Sequence, residues 1–144
     1  MASDNAVLCP SAQPEWEGAQ VIGVMAGTPE QPEMAYLNTP QPVTEHVLAM
    51  AGPLTPAEVF RFSAPCACSG CGHFAAEESK CRLAEKVVRF TPSVTEQLPV
   101  CAIRADCRWW NQEGKAACFR CPQVVTNNLK PSDEMRLAAD YGVI

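Results

Sequence analysis

The chain has 144 residues, 47% of them hydrophobic and 19% charged, with a formal net charge of −5. That length holds one ordinary domain, or a small core with an appended module, and the composition excludes wholesale disorder. Thirteen prolines and eight glycines indicate short elements and many loops, and nine cysteines exclude an ordinary small domain, because a chain in a reducing interior rarely keeps that many thiols without using them.

Residues 1–18 are rich in proline and polar side chains and are predicted to form an irregular arm carrying Cys9 before Pro10. Ala19–Ala26 and Met34–Leu37 are β-branched, apolar runs separated by turn residues from Gly27 to Pro32, which predicts a hairpin with a longish loop. Asn38–Pro42 reads as a loop, since its prolines oppose regular pairing. Thr44 is placed to cap a helix over Glu45–Ala51, stopped by Gly52 and Pro53. Thr55-Pro56-Ala57-Glu58 then reads as a capping box opening a helix through about Phe62. His46 is read as a helix-surface or core histidine, and no catalytic group is read in this half.

Ser63-Ala64-Pro65 marks the transition to the cysteine-rich part. There Ala75–Arg89 reads as the best helix, with Leu83, Ala84, Val87 and Val88 as its apolar stripe. Glu78–Arg82 and Glu85–Arg89 are the expected ion pairs on its solvated side, Cys81 lies at the stripe's edge, and Thr91-Pro92 ends it. Ser132, with Asp133 and Glu134 behind it and Gly142 beyond, predicts a short final helix. The expected fold class is α+β: a small irregular domain with a short β-hairpin and short helices over residues 1–65, followed by a Cys-rich metal-binding module over 66–144 that ends in a helix.

Charge divides the chain at the same place. Residues 1–65 carry seven acids against the single base Arg61, whereas residues 66–144 carry nine acids and ten bases. Several arginines flank cysteines: Arg82, Arg104, Arg108 and Arg120. Four thiolates around Zn²⁺, or on an oxidised 4Fe–4S cube, leave a net charge of about −2 that nearby guanidinium groups offset. Ordinary surface arginines are the second reading. A nucleic-acid footprint stacking on Trp109 and Trp110 is opposed by the acidic total and the lack of a basic run.

Eight cysteines fall between Cys66 and Cys121, in two groups. The first is Cys66-x-Cys68-x2-Cys71-x9-Cys81 and the second Cys101-x5-Cys107-x10-Cys118-x2-Cys121. A C-x-C pair in extended chain puts both thiols on one side, and an x2 step forms a tight turn that aims two thiols and backbone N–H groups at one centre. Cys68-Ser69-Gly70-Cys71-Gly72 resembles the knuckle of zinc ribbons, and Cys121-Pro122 resembles the Cys-Pro end of bacterial ferredoxin segments, each over a few residues only. His73 reads as a neighbour of the site or as a replacement for one thiolate. Two divisions stay open: Cys68, Cys71, Cys118 and Cys121 as a long-insert ribbon, or four ligands from each group in sequence. Cys9 is the odd thiol: an unrelated buried cysteine, a ligand from the N-terminal arm, or an exchangeable group.

The start of the chain has no basic segment followed by an apolar core, and Val21–Gly27 is too short to span a membrane. A cytoplasmic protein with no membrane partner is therefore expected, and thiolates in that setting usually hold metal, ahead of disulfides or free redox thiols. No phosphate-loop, dinucleotide, metalloprotease or nucleophile-elbow motif occurs. The pairing of Cys71 with His73 as nucleophile and base is set below metal ligation, so an enzyme is not the leading reading. The irregular spacing, the thiolate-only ligand set and the clustered Arg and aromatic residues tilt the expectation to one or two iron–sulfur clusters, of the 4Fe–4S type, ligated by the eight cysteines 66, 68, 71, 81, 101, 107, 118 and 121. The expected role is electron transfer, or service as an accessory subunit to a larger redox enzyme. The alternative is a zinc-stabilised module for protein or nucleic-acid interaction without redox activity.

Overall fold

The computed structural model describes residues 7–28, 31–126 and 131–140, with the side chain of Ser69 left aside. The first element is already unexpected. Leu8–Ala12 forms strand β1 within the segment read as an irregular arm. It is an edge strand, where Pro10 needs no ladder donor. Gln20–Gly27 (β2) and Pro32–Pro42 (β3) form the expected hairpin, Gly27 turning at φ +76°.

Strand β3 is longer than the sequence suggested. Asn38–Pro42, read as a loop, belongs to it because the register slips between the Val21–Gln41 and Gly23–Tyr36 pairs, and the bulge absorbs the surplus residues. The prolines are tolerated because β3 is the opposite edge of the sheet.

Thr44 caps Glu45–Ala49 (α1) as expected, its Oγ1 accepting from the Val47 N–H at 3.1 Å. Thr55 and Glu58 form the reciprocal box that opens Pro56–Val59 (α2). The helix stops there, and Phe60–Pro65 is strand β4 rather than helical. Tertiary pairing overrides the local helix signal. Residues 60–64 are aromatic, small or buried on both faces, and β4 sits inside the sheet, whose order is β1-β4-β2-β3 with all pairs antiparallel. The protein is thus α+β, built on a four-stranded sheet rather than a lone hairpin.

The helix expected over 75–89 is shorter at its front. Phe74–Ala75 (β5) pairs with Lys80–Cys81 (β6), and the helix proper is Arg82–Phe90 (α3). Ser79 lies at φ +51°, a conformation that a helix cannot continue. The Gln112 side chain then pins Cys81 as extended chain, its Oε1 accepting from Cys81 N and its Nε2 donating to Cys81 O, both at 2.8 Å. Glu78 accordingly pairs with Lys80 at 2.9 Å instead of with Arg82, and Lys80 also reaches Glu85. Thr91 ends α3 as expected.

Arg108–Glu113 (α4), Lys115–Cys118 (α5) and Asp133–Ala139 (α6) complete the chain. Ser132 caps α6 through Met135 N at 3.1 Å, whereas Gly142 lies outside the described residues.

Successive β2 residues send their side chains into different cores. Val21 joins Ala12, Phe60, Phe62 and Ala64, with Val47, Leu48 and Val59 of α1 and α2 packed against them. Ile22 joins Ala84, Val87, Ile103, Trp109, Val124 and Met135. The second core spans both halves of the sequence. Leu8 packs against it and bridges to Cys107, and α3 lies along α6.

Candidate metal centre

The four cysteines of the second group come together. Cys101 precedes a short turn, Cys107 stands immediately before α4, Cys118 ends α5, and Cys121 opens the 3-10 turn Cys121–Gln123. All four line one small pocket together with Ile22, Trp109 and Ala117, with a free volume of about 20 Å³. Burial pushes the Cys107 thiol up to about 12 and raises those of Cys101 and Cys118, with the neighbouring thiols adding to the effect. Backbone N–H groups oppose that rise: those of Trp110 and Trp109 donate to the Cys107 sulfur, and that of Ile103 donates to Cys101. The Arg104 side chain donates to Cys118. N–H donors aimed at sulfur are what a metal-bound thiolate uses to spread its charge.

Arg61 completes this pocket from the sheet. It is fully buried on β4. Its Nε donates to Pro10 O at 2.9 Å, and Nη1 donates to the carbonyls of Cys121 and Val124, each at 2.8 Å. Nη2 lies 3.0 Å from the Cys121 sulfur. Among the described residues no carboxylate forms an ion pair with it. Burial works against its charge, but Cys121 and then Tyr36 more than restore it, and its pKa stands above the ordinary guanidinium value. Tyr36 also hydrogen-bonds the Cys121 sulfur, and its hydroxyl is held far above its usual pKa, first by burial and then by Cys121. A buried guanidinium requires a nearby anion. The ionisable groups beside it are the Cys121 thiol and the Tyr36 hydroxyl.

The first group is arranged differently from its sequence order. Val7, Leu8 and Cys9 run opposite Cys66, Pro65 and Ala64, with Cys66 N donating to Val7 O at 2.8 Å. Cys9 therefore shares a sheet face with Cys66 as its diagonal neighbour. The thiols that act on Cys9 are Cys81, Cys66 and Cys71; burial is the main reason its own pKa is pushed up to about 12. Cys81, likewise raised mainly by burial, accepts from the N–H groups of Ala84 and Leu83 at the start of α3 and feels Cys71 and Cys66. Cys66 and Cys71 each accept a backbone N–H two residues on, from Cys68 and His73, both at 3.4 Å. Cys68 itself has φ +50°, and its sulfur lies 3.5 Å from Cys66 O and 3.8 Å from Nη2 of Arg108.

Cys101, Cys107, Cys118 and Cys121, consecutive among the cysteines, line one pocket, and Cys68 and Cys71 are not among its lining residues. All nine cysteines are unbonded. Among the described residues, no three His, Cys, Asp or Glu side chains converge as ligands of one ion. Of the arginines noted for their sequence position, Arg104 and Arg108 reach sulfur, whereas Arg120 binds the carbonyls of Thr91 and Ala116. Burial, then Lys86, hold His73 down at about 4, so its ring is neutral near pH 7. Trp109 is core at 2% exposure, and Trp110 lies beneath Arg104, 5.6 Å from the guanidinium carbon.

Sequence reasoning passed over Arg61 and Tyr36. The signal for Arg61 was present: a single base in an otherwise acidic half, set between two phenylalanines. Tyr36 gave none, because its importance comes from the β3 register. A larger open cleft of about 1020 Å³ lies beyond Tyr36, between β3, residues 92–99 and the start of α6, and no cysteine lines it. No helix among the described residues is long and apolar enough to cross a membrane.

No family model matches this chain, and no curated protein or solved structure matches it either.

Proposed function

We propose that the protein binds an iron–sulfur cluster through Cys101, Cys107, Cys118 and Cys121 and carries electrons to or from a larger redox enzyme, as a carrier or as an accessory subunit. The observation that carries the reading is the buried Arg61 guanidinium on the Cys121 sulfur, at the wall of a pocket lined by four thiols. The donor set fits the group. It is all thiol, it receives N–H groups from Trp109, Trp110 and Ile103, and it is shielded by Trp109 and Ile22. The four thiols line one pocket.

When bound, the cluster supplies a one-electron couple. The chain's own residues do the rest. Arg61, Tyr36 and Arg104 place positive charge and hydrogen bonds on the sulfurs, which favours the more negative, reduced state. Trp109, Ile22 and Ala117 keep water from the centre.

The test is anaerobic purification followed by metal and sulfide analysis. The expected protein is brown, contains iron and acid-labile sulfide in equal amounts, and bleaches with dithionite. A colourless protein with stoichiometric zinc would overturn the proposal in favour of a zinc-stabilised interaction module.

A further inference from the structure

We infer that the open cleft beyond Tyr36 is a docking site for an extended, lysine- or arginine-bearing segment of a partner protein, which adds to the free edge of β3 as a fifth strand. The inference goes beyond the proposed electron-transfer role. It assigns a second surface and the chemistry of its occupant, and it stands or falls independently of what the four thiols hold.

The edge of the sheet gives the first part of the argument. β3 is an edge strand bonded to β2 alone. Every residue of Pro32–Tyr36 lines the cleft, which has about 1020 Å³ of free volume. Successive side chains of a strand alternate between its faces, so a cleft that touches all of them runs along the strand's edge. Such a stretch offers about 17 Å of edge. In an antiparallel ladder the residues of the non-hydrogen-bonded pairs turn N–H and C=O outward. Among the described residues, the backbone of Glu33–Tyr36 makes no hydrogen bond outside the β2–β3 ladder. Free edges are ordinarily blunted by proline, by shortness or by a covering element. The opposite edge follows that rule: β1 has five residues, contains Pro10 and bridges to Cys107. β3 runs for eleven residues, and Glu33–Thr39 contains no proline.

The facing wall is already built. Residues 92–99 are held at three points: Gln123 Nε2 donates to Pro92 O at 2.9 Å, Val94 N donates to Phe119 O at 2.8 Å, and the Arg104 guanidinium donates to Pro99 O. Val94 and Leu98 line the cleft and stay 46% and 37% exposed. Strand addition takes its affinity from main-chain hydrogen bonds and its specificity from contacts to alternate side chains. A wall fixed in advance lowers the ordering cost of binding.

Charge selects the occupant. Glu33 and Glu134 line the cleft, with no lysine or arginine among its described lining residues. Both carboxylates are exposed, and among the described residues neither pairs with a base. A second copy of this chain would bring two acidic clefts together, which like-charge repulsion opposes. A segment that alternates cations with apolar side chains meets both the carboxylates and the apolar wall.

The cleft also shares a wall with the thiol pocket. Tyr36 lines both and hydrogen-bonds the Cys121 sulfur, and Pro122 lines the cleft directly after Cys121. Arg104, which holds Pro99, donates to Cys118 as well. An occupant of the cleft is therefore one side chain away from the thiols.

The experiment titrates the isotope-labelled full-length protein, purified anaerobically, with three end-capped hexapeptides while amide resonances are followed. One alternates lysine and valine, one alternates glutamate and valine, and the third is the lysine peptide with every backbone nitrogen methylated. The lysine peptide is expected to shift the amides of Glu33–Tyr36 and Val94–Leu98 and to slow hydrogen exchange in β3. The glutamate peptide is expected to bind at least about tenfold more weakly, and the methylated peptide to lose binding. Glu33→Lys combined with Glu134→Lys is expected to reverse the charge preference, a gain that a folding defect cannot produce. No binding by the lysine peptide, equal binding by either of the others, or shifts that map away from β3 overturns the inference. So does a chain that sediments as a dimer with its β3 edge amides already protected. A colourless protein that binds the lysine peptide as expected overturns the proposed function and leaves this inference standing; a brown protein that fails to bind it does the reverse.

Discussion

Nη2 of Arg61 lies 3.0 Å from Sγ of Cys121, joining an inner strand of an antiparallel sheet to the last cysteine of the chain. The other donors of the same guanidinium hold the carbonyls of Pro10, Cys121 and Val124. One side chain therefore fixes the edge strand, the centre of the sheet and the final 3-10 turn in a single arrangement.

Removing that charge should be severe. Arg61→Met leaves the carbonyls of Pro10, Cys121 and Val124 and the Cys121 sulfur without their partner, and a destabilisation of about 3–5 kcal/mol is expected. Arg61→Lys keeps a charge but cannot reach all the acceptors at once, so it should fall between wild type and Arg61→Met. Guanidinium chloride unfolding of the loaded protein measures both. An Arg61→Met variant as stable as wild type, with full metal, would show that Cys121 does not need the guanidinium.

Metal removal should act unevenly. Binding energy becomes folding energy where ligands lie on short elements, and Cys101–Gln123 contains only short helical turns, held to the shared core through Ile103, Trp109 and Ala117. The core around Phe60 and Phe62 has its own support from α1 and α2. Hydrogen exchange after chelation should show amide protection lost across 101–123 and largely kept in β2 and β4. Equal protection in both regions, with and without metal, would count against a structural role for the metal.

The two neighbouring tryptophans should differ. Trp109 is 2% exposed in the shared core, and Trp109→Ala is expected to cost about 3–5 kcal/mol. Trp110 is only half-buried and lies beneath Arg104, so Trp110→Ala should cost clearly less. Thermal unfolding of the two variants side by side checks the order.

A smaller effect is expected at the last helix. Ser132→Ala removes the acceptor for Met135 N, and Ser132 caps the element that covers α3, so a loss of about 1 kcal/mol is expected. Thr55→Ala, which removes the hydroxyl half of the box while the residue-55 N–H still reaches Glu58, should cost a similar amount or less. A change within experimental error at both positions would show that α2 and α6 are held by packing alone.

The elements that local chemistry specifies are legible in the sequence. The caps at Thr44, Thr55 and Ser132 each open a helix where side-chain oxygens meet free N–H groups, and the hairpin follows from two apolar runs around turn residues. The elements that differ from expectation share one cause. Leu8–Ala12, Asn38–Pro42 and Phe60–Pro65 carry weak or helical local signals, and each becomes strand by pairing with residues distant in sequence. Pairing energy of that kind cannot be seen in a local window. The front of the helix expected at residue 75 is likewise lost to the Gln112 clamp, supplied from 31 positions away.

By itself the sequence determined that thiols are unusually numerous, that eight of the nine fall in one half, and that Cys101, Cys107, Cys118 and Cys121 are consecutive among them. Spacing conveys that much because short loops confine neighbouring side chains. Only the tertiary structure decided which charge stands against those sulfurs and where Cys9 goes. Strand register carries Arg61 from the acidic half to Cys121, and the pairing of β1 with β4 carries Cys9 to Cys66. Both contacts join residues more than fifty positions apart, a separation at which chain connectivity confines nothing and the fold alone sets the distance.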